Sequence, residues 1–369
     1  MKKYLLFLLS LIIILCNVSC KKVDEFGYQI EKNTKYVSDQ SETAEVKNVI
    51  LIIGDGMGGE QVELVRRYGL AEGQTLDLDK AEYKGLVDTN CLNNYVTDSA
   101  AAATAMATGV RTLYERMGMD ENGNELETIL DIAHNNGLMT GLITNDFLTG
   151  ATPGGFSAHS INRDLNKKDR IKQQINSTID VIMGKGEVDF FEYKDEMISK
   201  GWDYTNSRDT MNDSKSSKLF TVYPTSTKLA DTVPTLEEMT MKALDVLSES
   251  DNGFVLVIEE AHIDKEIDGG DIDGMIEAVI RLDKTLRVCL NYMRTHDDTL
   301  VIVVADHETG GLVLGDGEPT LDWFTESTRY HTNVKVPVYA FGNKSIMFDN
   351  CDILNTDIFY KIKEALGLK

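Results

Sequence analysis

The sequence predicts an α/β fold, a three-layer sandwich in which a central, mostly parallel mixed sheet lies between helices. Five short apolar runs carry this prediction, at residues 49–53, 140–144, 254–258, 299–305 and 336–341. Strands that are apolar throughout, rather than on alternate residues, are typical of a sheet covered on both faces. Helical patterns, such as those of residues 125–137 and 274–293, fill the intervals between the runs, as the connections of a parallel sheet require.

Residues 164–235 break this pattern, because they are more polar and contain no strong apolar run. We expect them to form an excursion beside the core that partly covers the functional site. The 42% of hydrophobic residues in the chain is ordinary for a globular protein, and the length of 369 residues allows one large domain or two smaller ones. We expect a single compact domain over residues 46–369. The net charge of −23 argues against nucleic acid as a dedicated partner, because a phosphate backbone repels so acidic a surface.

The N-terminus is predicted to be a targeting segment. Residues 1–19 have a basic start and an apolar run too short to span a membrane comfortably, which indicates a signal peptide. The segment NVSC that ends at Cys20 resembles a lipidation signal, although Asn17 stands where an aliphatic residue is usual. We therefore expect a lipid on Cys20, a tether over residues 20–45, and an exported lipoprotein, periplasmic or on the cell surface. It would meet the membrane only through that lipid; simple secretion and an uncleaved anchor are the alternatives.

Three cysteines remain in the predicted domain, Cys91, Cys289 and Cys351. Their wide separation makes neither a disulfide framework nor a zinc-ribbon spacing. We predict buried free thiols, and a single bridge in an oxidising compartment is the alternative.

Acidic and histidine side chains follow three of the predicted strands. Asp55 follows the first run. Glu259 and Asp264 follow the run at 254–258, and Asp306 and His307 follow the run at 299–305. The carboxyl ends of parallel strands meet at one edge of a sheet, where ligands bind. Carboxylates brought so close repel one another, which divalent cations relieve. The mixture of ligands predicts zinc at the histidine-bearing positions and magnesium at an all-oxygen position.

The stretch VTDSAAAATAMATGVRT, residues 96–112, places Asp98 and Ser99 in front of a run of small residues. It allows a plain helix cap followed by a closely packed helix. It also allows a nucleophile, since a serine beside a divalent cation loses its proton more easily and a helix N-terminus suits an incoming phosphate. The chain has no Gly-x-Ser-x-Gly elbow around Ser99, which counts against an α/β-hydrolase.

These motifs, taken in order, resemble those of the alkaline phosphatase family over essentially the whole of residues 46–369. The segments that carry the resemblance are IIGDGMG, VTDSAAAATAMATGVRT, ATPGGFSAHSINR, IEEAHIDK, VADHETGG and RYHTN. The resemblance implies a catalytic domain on an α/β fold that hydrolyses phosphate monoesters through a phosphoserine. It also implies two zinc ions and one magnesium ion as cofactors.

The resemblance assigns roles to individual residues. Ser99 would be the nucleophile, Asp98 would position other groups, and Arg163 would clamp two phosphate oxygens with its planar fork. The implied metal ligands are Asp264 and His331 for the first zinc, Asp55, Asp306 and His307 for the second zinc, and Thr152, Glu259 and the bridging Asp55 for magnesium.

Three positions depart from the family pattern. Asp268 stands where the family usually has a histidine of the first zinc site, and we predict that it replaces that ligand. Gly150 stands where an acid or a histidine is common near magnesium, and we expect water to fill the space. Lys265 either contacts phosphate through water or neutralises Glu266 or Asp268.

The sequence thus predicts an exported alkaline phosphatase that acts on small-molecule phosphate monoesters. Only 23 residues separate His307 from His331, so a large crown-like insertion is absent from that interval. A phosphodiesterase or other hydrolase on the same metal core is one alternative. A lipoprotein that binds metal or phosphate without catalysis is another. The family is often dimeric, so a homodimer is possible, but no feature of the chain marks an interface.

Overall fold

The computed structural model describes residues 44–224, 232–325 and 330–369, which contain a ten-stranded sheet and a separate two-stranded one. The strands are β1 Asn48–Gly54, β2 Tyr83–Asp88, β3 Met139–Phe147, β4 Val181–Lys185, β5 Asp203–Thr205, β6 Leu219–Tyr223, β7 Phe254–Glu260, β8 Thr299–Ala305, β9 Glu308–Thr309, β10 His331–Thr332, β11 Val336–Gly342 and β12 Asp352–Leu354. The α-helices of this part of the chain are α1 Gly59–Leu64, α2 Ser99–Thr108, α3 Ile129–Asn135, α4 Ala151–Ser157, α5 Lys167–Ile175, α6 Glu187–Phe190, α7 Lys194–Ser199, α8 Arg208–Asp213, α9 Leu236–Leu247, α10 His262–Gly269, α11 Ile272–Met293 and α12 Asn355–Leu366.

The large sheet is mixed but almost wholly parallel. Its strand order is β12-β2-β11-β8-β1-β7-β3-β4-β6-β5. Only β11 is reversed, since it pairs antiparallel with both β8 and β2 while the other neighbours in the sheet pair parallel. The predicted fold class is therefore confirmed, and the five apolar runs correspond to β1, β3, β7, β8 and β11.

The central strands are covered on both faces. Every residue of β1, β7 and β8 is buried, as continuous apolar strands require. The helices α9 and α10 both pack against α11, and α9 and α11 also contact these strands. The helices α2, α3, α4 and α12 form a second packed group. The helical patterns of the sequence correspond to α3, which starts at a capping box of Thr128 and Asp131, and to α11, whose N-cap is Asp271.

The prediction that residues 164–235 form an excursion beside the core is wrong. This segment contains β4, β5 and β6, which extend the large sheet beyond β3. β4 and β6 have only five residues each, and both are almost wholly buried. Such short runs between polar helices carry a weak sequence signal, and they become strands because their neighbours in the sheet pair with them.

The described residues contain no helix that is both long and apolar enough to cross a membrane. Cys91 and Cys289 are free and buried, whereas Cys351 is free and half-buried. The prediction of free thiols is thus confirmed, although burial is complete for only two of the three. The predicted signal peptide, Cys20 and the tether up to residue 43 lie outside the described residues.

Candidate active site

The carboxyl ends of β8, β1 and β7 meet at one edge of the sheet. The strands pair in register there, so that Gly54 lies opposite Ala305 on one side and Glu260 on the other. The residues that follow are therefore neighbours. The backbone N–H of Asp55 donates to the carbonyl of Glu260 at 3.0 Å, and the N–H of Asp264 donates to the carbonyl of Asp55 at 2.9 Å.

A first group of ligand atoms lies at the ends of β1 and β8. It consists of Asp55, Asp306 and His307, whose ligand atoms lie within 4.8 Å of one another. His307 Nε2 is 3.3 Å from Asp55 Oδ1 and 3.3 Å from Asp306 Oδ2. All three residues are buried, so this is an enclosed group with carboxylate and imidazole donors of the kind that zinc prefers.

Two carboxylate oxygens of this group are buried without a hydrogen-bond donor. Asp306 Oδ1 accepts from the backbone N–H groups of Gly56 and His307, both at 3.0 Å. Asp306 Oδ2 and Asp55 Oδ1 accept no hydrogen bond. A buried carboxylate oxygen without a hydrogen bond lowers the stability of the folded state, by on the order of a few kcal/mol. A divalent cation held by Asp55, Asp306 and His307 would satisfy these oxygens, so the residues present fit a metal.

A second group of ligand atoms lies beside the first and shares His307 with it. Asp264, at the start of α10, joins His307 and His331, again with ligand atoms within 4.8 Å of one another. The small antiparallel pair β9–β10 brings His331 to this position, since His331 lies opposite Thr309 in it. The two histidine rings stack at 3.5 Å.

Hydrogen bonding orients His331 as a ligand. Its Nδ1 lies 2.8 Å from the carbonyl oxygen of Thr97. A carbonyl can only accept, so Nδ1 carries the hydrogen and Nε2 presents its lone pair in the neutral ring. Nε2 lies 3.6 Å from Asp264 Oδ1. This fixed tautomer, set by a backbone carbonyl, is the usual arrangement of a metal-binding histidine.

The titration behaviour of these groups reflects their crowding. Burial raises the pKa of Asp55 well above its usual value, and the nearby carboxylates of Asp306 and Asp264 raise it further. Burial likewise raises the pKa of Asp306 to about 7. Burial, and then the neighbouring His331, holds the pKa of His307 well below its usual value. His307 is therefore neutral, as a metal ligand must be.

Ser99 is the first residue of α2 and is buried beside the shared histidine. Its Oγ lies 3.2 Å from His307 Nε2. The cap of α2 is Asp98, whose carboxylate accepts from the N–H of Ala101 at 3.2 Å. The residue that caps the helix is thus Asp98 and not Ser99, which leaves the buried Ser99 Oγ beside His307 Nε2.

Asp98 also holds Arg163. Its Oδ1 accepts from the N–H of Glu115 at 3.0 Å, and its Oδ2 accepts from Arg163 Nη1 at 3.1 Å. Burial lowers the pKa of Arg163, but Asp98 and Asp55 raise it by more, so the guanidinium stays charged. One third of the Arg163 side chain is exposed, which leaves nitrogen atoms available to an anion.

Side-chain oxygen atoms form a third group around Glu259, at the end of β7. Thr144 on β3 donates a hydrogen bond to Glu259 Oε2. The hydroxyl of Thr152 on α4 is buried and close enough to lower the pKa of Glu259, yet it makes no hydrogen bond of regular geometry. Burial nevertheless dominates and raises the pKa of Glu259 overall. An all-oxygen environment of this kind suits magnesium.

The comparison with known protein families identifies the chain. The family model described as alkaline phosphatase matches residues 46–329, which is well over half of the chain and includes Ser99, Arg163 and Asp264. The chain belongs to the alkaline phosphatase family. It is accordingly a metal-binding phosphomonoesterase.

Individual relatives agree with this assignment. The chain is 30% identical to alkaline phosphatase 4 of Bacillus subtilis, over 81% of this chain and 69% of that protein. It is 27% identical to the alkaline phosphatase of Escherichia coli, over 91% of this chain and 89% of that protein. It superposes on the alkaline phosphatase of the Antarctic bacterium TAB5 with a TM-score of 0.78 at 25% identity, covering 88% of this chain and 99% of that one.

Asp268 is the residue predicted to complete the first zinc site. It is half-buried on α10, one turn after Asp264 and therefore on the same face of the helix. Its carboxylate is absent from both sets of described ligand atoms that lie within 4.8 Å of one another. The replacement of a zinc-binding histidine by Asp268 therefore stays a prediction.

Gly150 is required by the backbone itself. It is the N-cap of α4, and an added Cβ there would lie 2.8 Å from the carbonyl oxygen of Phe147. The tight turn from Phe147 to Gly150 therefore excludes a side chain, so the acid or histidine common in the alkaline phosphatase family does not fit. The expectation that water fills the space stays a prediction.

Lys265 has a partner that the sequence did not suggest. Its ammonium group pairs with Asp146 at the end of β3, and Lys185 lies 3.6 Å from the other oxygen of Asp146. Burial raises the pKa of Asp146, but Lys265 and Lys185 lower it by more. In this structure Lys265 thus pairs neither with Glu266 nor with Asp268, and it is held beside Glu259.

Sequence reasoning missed Thr309, which connects both ligand groups. Its hydroxyl donates to Asp264 Oδ1 at 2.5 Å and lies 3.3 Å from His307 Nδ1. An available signal was the alternation of the DHET segment, since Thr309 follows His307 by two residues and such residues share one side of an extended chain. Gly56 also belongs here: its φ is +78°, and a Cβ would lie 2.9 Å from the Cβ of Asp264.

Proposed function

We propose that this family member hydrolyses phosphate monoesters of small molecules through a covalent phosphoserine at Ser99. The observation that carries the proposal is the 3.2 Å approach of Ser99 Oγ to His307 Nε2, because His307 belongs to both groups of ligand atoms. A hydroxyl in that position is next to whatever cation either group binds. It also stands at the N-terminus of a ten-residue helix, which favours a negatively charged phosphoryl group.

The proposed cofactors are two zinc ions and one magnesium ion. Asp264, His331 and the predicted Asp268 would hold the first zinc. Asp55, Asp306 and His307 would hold the second. Glu259, Thr152 and Asp55 would hold magnesium. A structure of a variant of the TAB5 enzyme has Mg bound in a site named M3, which supports a magnesium position in the family. Bound divalent cations would lower the pKa of the Ser99 hydroxyl and offset the charge of the transferring phosphoryl group.

Individual side chains of the protein form the covalent bond, bind the phosphoryl group and position these groups. Ser99 Oγ forms the new bond to phosphorus as the bond from phosphorus to the ester oxygen breaks, which releases the alcohol. Arg163 donates hydrogen bonds to the phosphoryl oxygens, and Asp98 holds the guanidinium in place for them. Water then cleaves the phosphoserine to inorganic phosphate and restores Ser99. Lys265, fixed by Asp146, would add positive charge at the edge of the phosphate site.

The test compares the wild type with Ser99→Ala on an aryl phosphate in the presence of zinc and magnesium. We expect the substitution to lower kcat by about a thousandfold or more, since removing a nucleophile abolishes the covalent route. Acid quenching of the wild type should trap phosphate on Ser99. Ser199→Ala, at an exposed serine of α7, is the matched control and should keep full activity.

Other outcomes of this test identify other functions. Zinc binding without turnover that depends on Ser99 would show a metal-binding protein that has lost catalysis. Turnover of an aryl phosphodiester far above that of the monoester would show a phosphodiesterase. Either result would contradict the proposal.

We further propose that the protein is exported and anchored by a lipid on Cys20. The support is the basic start, the apolar run and the NVSC segment of residues 1–20. Cys20→Ser should move the protein from the membrane fraction to the soluble exported fraction. If the variant stays with the membrane, the lipid anchor is wrong.

A further inference from the structure

A pocket of about 540 Å³ opens beside the candidate active site, on the side of His331. Its volume lies in the range of small-molecule sites. Thr97 and His331 form its wall next to the ligand groups, and Tyr114 and Tyr330 also line it. Of the residues in this lining, only His331 and the carbonyl of Thr97 belong to the ligand groups or support them.

The pocket adjoins the phosphate-binding side chains at two points. Thr97 lies two residues before Ser99, and its carbonyl accepts the hydrogen bond from His331. Tyr114 directly precedes Glu115, whose N–H donates to the same carboxylate of Asp98 that holds Arg163. Burial and the charge of Asp98 raise the pKa of the Tyr114 phenol while Arg163 lowers it, so this ring is near both charged groups. A phosphate held by Arg163 would therefore have its ester group within reach of this pocket.

The chemistry of the lining favours a flat, uncharged group. Apart from His331, the lining consists of Val96, Thr97, Thr332, Asn333 and the two tyrosines, so it contains no Asp, Glu, Lys or Arg side chain. This is unusual on a chain with a net charge of −23. Tyr114 and Tyr330 are 54% and 65% exposed, which leaves ring surface uncovered. The Tyr330 backbone is held by the N–H of Gly310, which donates to its carbonyl at 2.7 Å.

We propose that this pocket binds the alcohol part of the substrate, and that Tyr114 and Tyr330 make the enzyme selective for aromatic leaving groups over small aliphatic ones. The inference rests on the proposed function, because it assumes that phosphate is bound by Arg163 beside Ser99. Exposed aromatic faces gain from stacking on a planar ring, whereas a short polyol offers them little contact. The two tyrosines are thus specificity-determining residues and take no part in bond breaking.

The experiment measures kcat/KM on naphthyl phosphate and on glycerol phosphate for the metal-loaded, full-length protein. The quantity compared is the ratio of the two values for each variant. Tyr114→Ala and Tyr330→Ala should each lower the naphthyl-to-glycerol ratio by about three- to tenfold, which corresponds to one aromatic contact. Tyr330→Phe should keep the ratio of the wild type, because it retains the ring.

Tyr95→Ala is the matched control. Tyr95 is 69% exposed and close in sequence but does not line the pocket, so its substitution should leave the ratio unchanged. The pocket inference is overturned if the alanine variants lose activity equally on both esters, or if Tyr95→Ala changes the ratio as much as they do. A wild type without any turnover that depends on Ser99, on either ester, would instead overturn the proposed function.

Discussion

The two carboxylate oxygens of Asp306 have different roles, one in the fold and one in the candidate site. Its Oδ1 accepts two backbone hydrogen bonds, from Gly56 and from His307, which tie the end of β1 to the end of β8. Its Oδ2 is buried and lacks a hydrogen bond. The first oxygen orients the carboxylate, and the second is left to a cation. In the metal-free protein this second oxygen makes the ionised form costly.

Asp306→Asn should flatten the pH dependence of stability in the metal-free protein. The pKa of Asp306 is about 7 in the folded state and about 3.9 in an unfolded chain. The folded state therefore holds an extra proton between these values, and its stability falls as the pH rises toward 7, by up to about 1.4 kcal/mol per pH unit. Asn keeps the oxygen that accepts from Gly56 but does not titrate.

Urea unfolding of the chelated wild type and variant at pH 5, 6, 7 and 8 measures this effect. The free energy of unfolding should fall more steeply with pH for the wild type. Parallel profiles for the two proteins would show that Asp306 is ionised over this whole pH range, and would contradict the raised pKa.

Asp268→Ala should lower zinc occupancy at the first site. Asp268 is one helical turn from Asp264 on α10, and a carboxylate is a competent zinc ligand. Metal analysis after dialysis, together with kcat, measures the effect; removal of one of the ligands should cost at least about tenfold in affinity. Asp251→Ala, at an exposed loop carboxylate, is the control. Occupancy and activity equal to those of the control would show that Asp268 is not a ligand.

At the scale of elements, the packing of α2 against α4 connects the proposed nucleophile to the proposed magnesium site. α2 carries Ser99 at its start, and α4 carries Thr152. Every residue of α2 is buried, and its alanines allow the helices to approach closely. At the contact, a Cβ on Gly155 would lie 2.7 Å from the Cβ of Ala103. Small side chains thus set the distance between the two helices.

Gly155→Ala should therefore destabilise the protein by about 1–3 kcal/mol, the usual cost of overpacking a core. It should also lower kcat, because separating α2 from α4 moves Ser99. Thermal unfolding and kinetics measure both effects. Gly59→Ala is the matched control, since a Cβ at this exposed helical position meets no atom within 4 Å and should be neutral or slightly stabilising. Equal behaviour of the two variants would contradict the role of this contact.

At the scale of the whole molecule, the site collects side chains from distant parts of the chain. Asp55, Asp264 and Asp306 follow three adjacent parallel strands, and His331 arrives through the β9–β10 pair. Cations bound among them connect segments that are far apart in sequence. Metal binding should therefore stabilise the entire fold and not only the loops that carry the ligands.

Removal of the metals should lower the Tm, and zinc with magnesium should restore it. A metal ion at a free concentration of about a hundred times its Kd adds about 2.7 kcal/mol per site to the free energy of unfolding. The gain should be larger at pH 8 than at pH 5, because the pKa of Asp306, raised by burial to about 7, leaves this ligand protonated at the lower pH. Burial also raises the pKa of Asp55, which acts in the same direction. Calorimetry of chelated and reloaded protein measures this. A Tm that does not respond to metal, or a larger gain at pH 5, would contradict the expectation.

The sequence by itself determined the central strands, the family and the residue types of the site. β1, β3, β7, β8 and β11 were predictable because strands buried on both faces are continuously apolar. The candidate ligands were predictable from their places after such strands. Asp55 and Asp306 directly follow a strand, and Asp264 lies in the first turn of the helix that comes after one. These are local signals, and they do not depend on which segments become neighbours.

The tertiary structure alone decided what depends on neighbours. The segments β4, β5 and β6 are strands because they extend the sheet from the edge of β3. Their own short apolar runs do not predict this. Lys265 pairs with Asp146 and not with the acids near it in sequence. Thr309 meets Asp264 across 45 residues, and the pocket beside His331 exists only where separate loops close around it. Such contacts arise from packing between distant segments, and a linear pattern does not encode their distances.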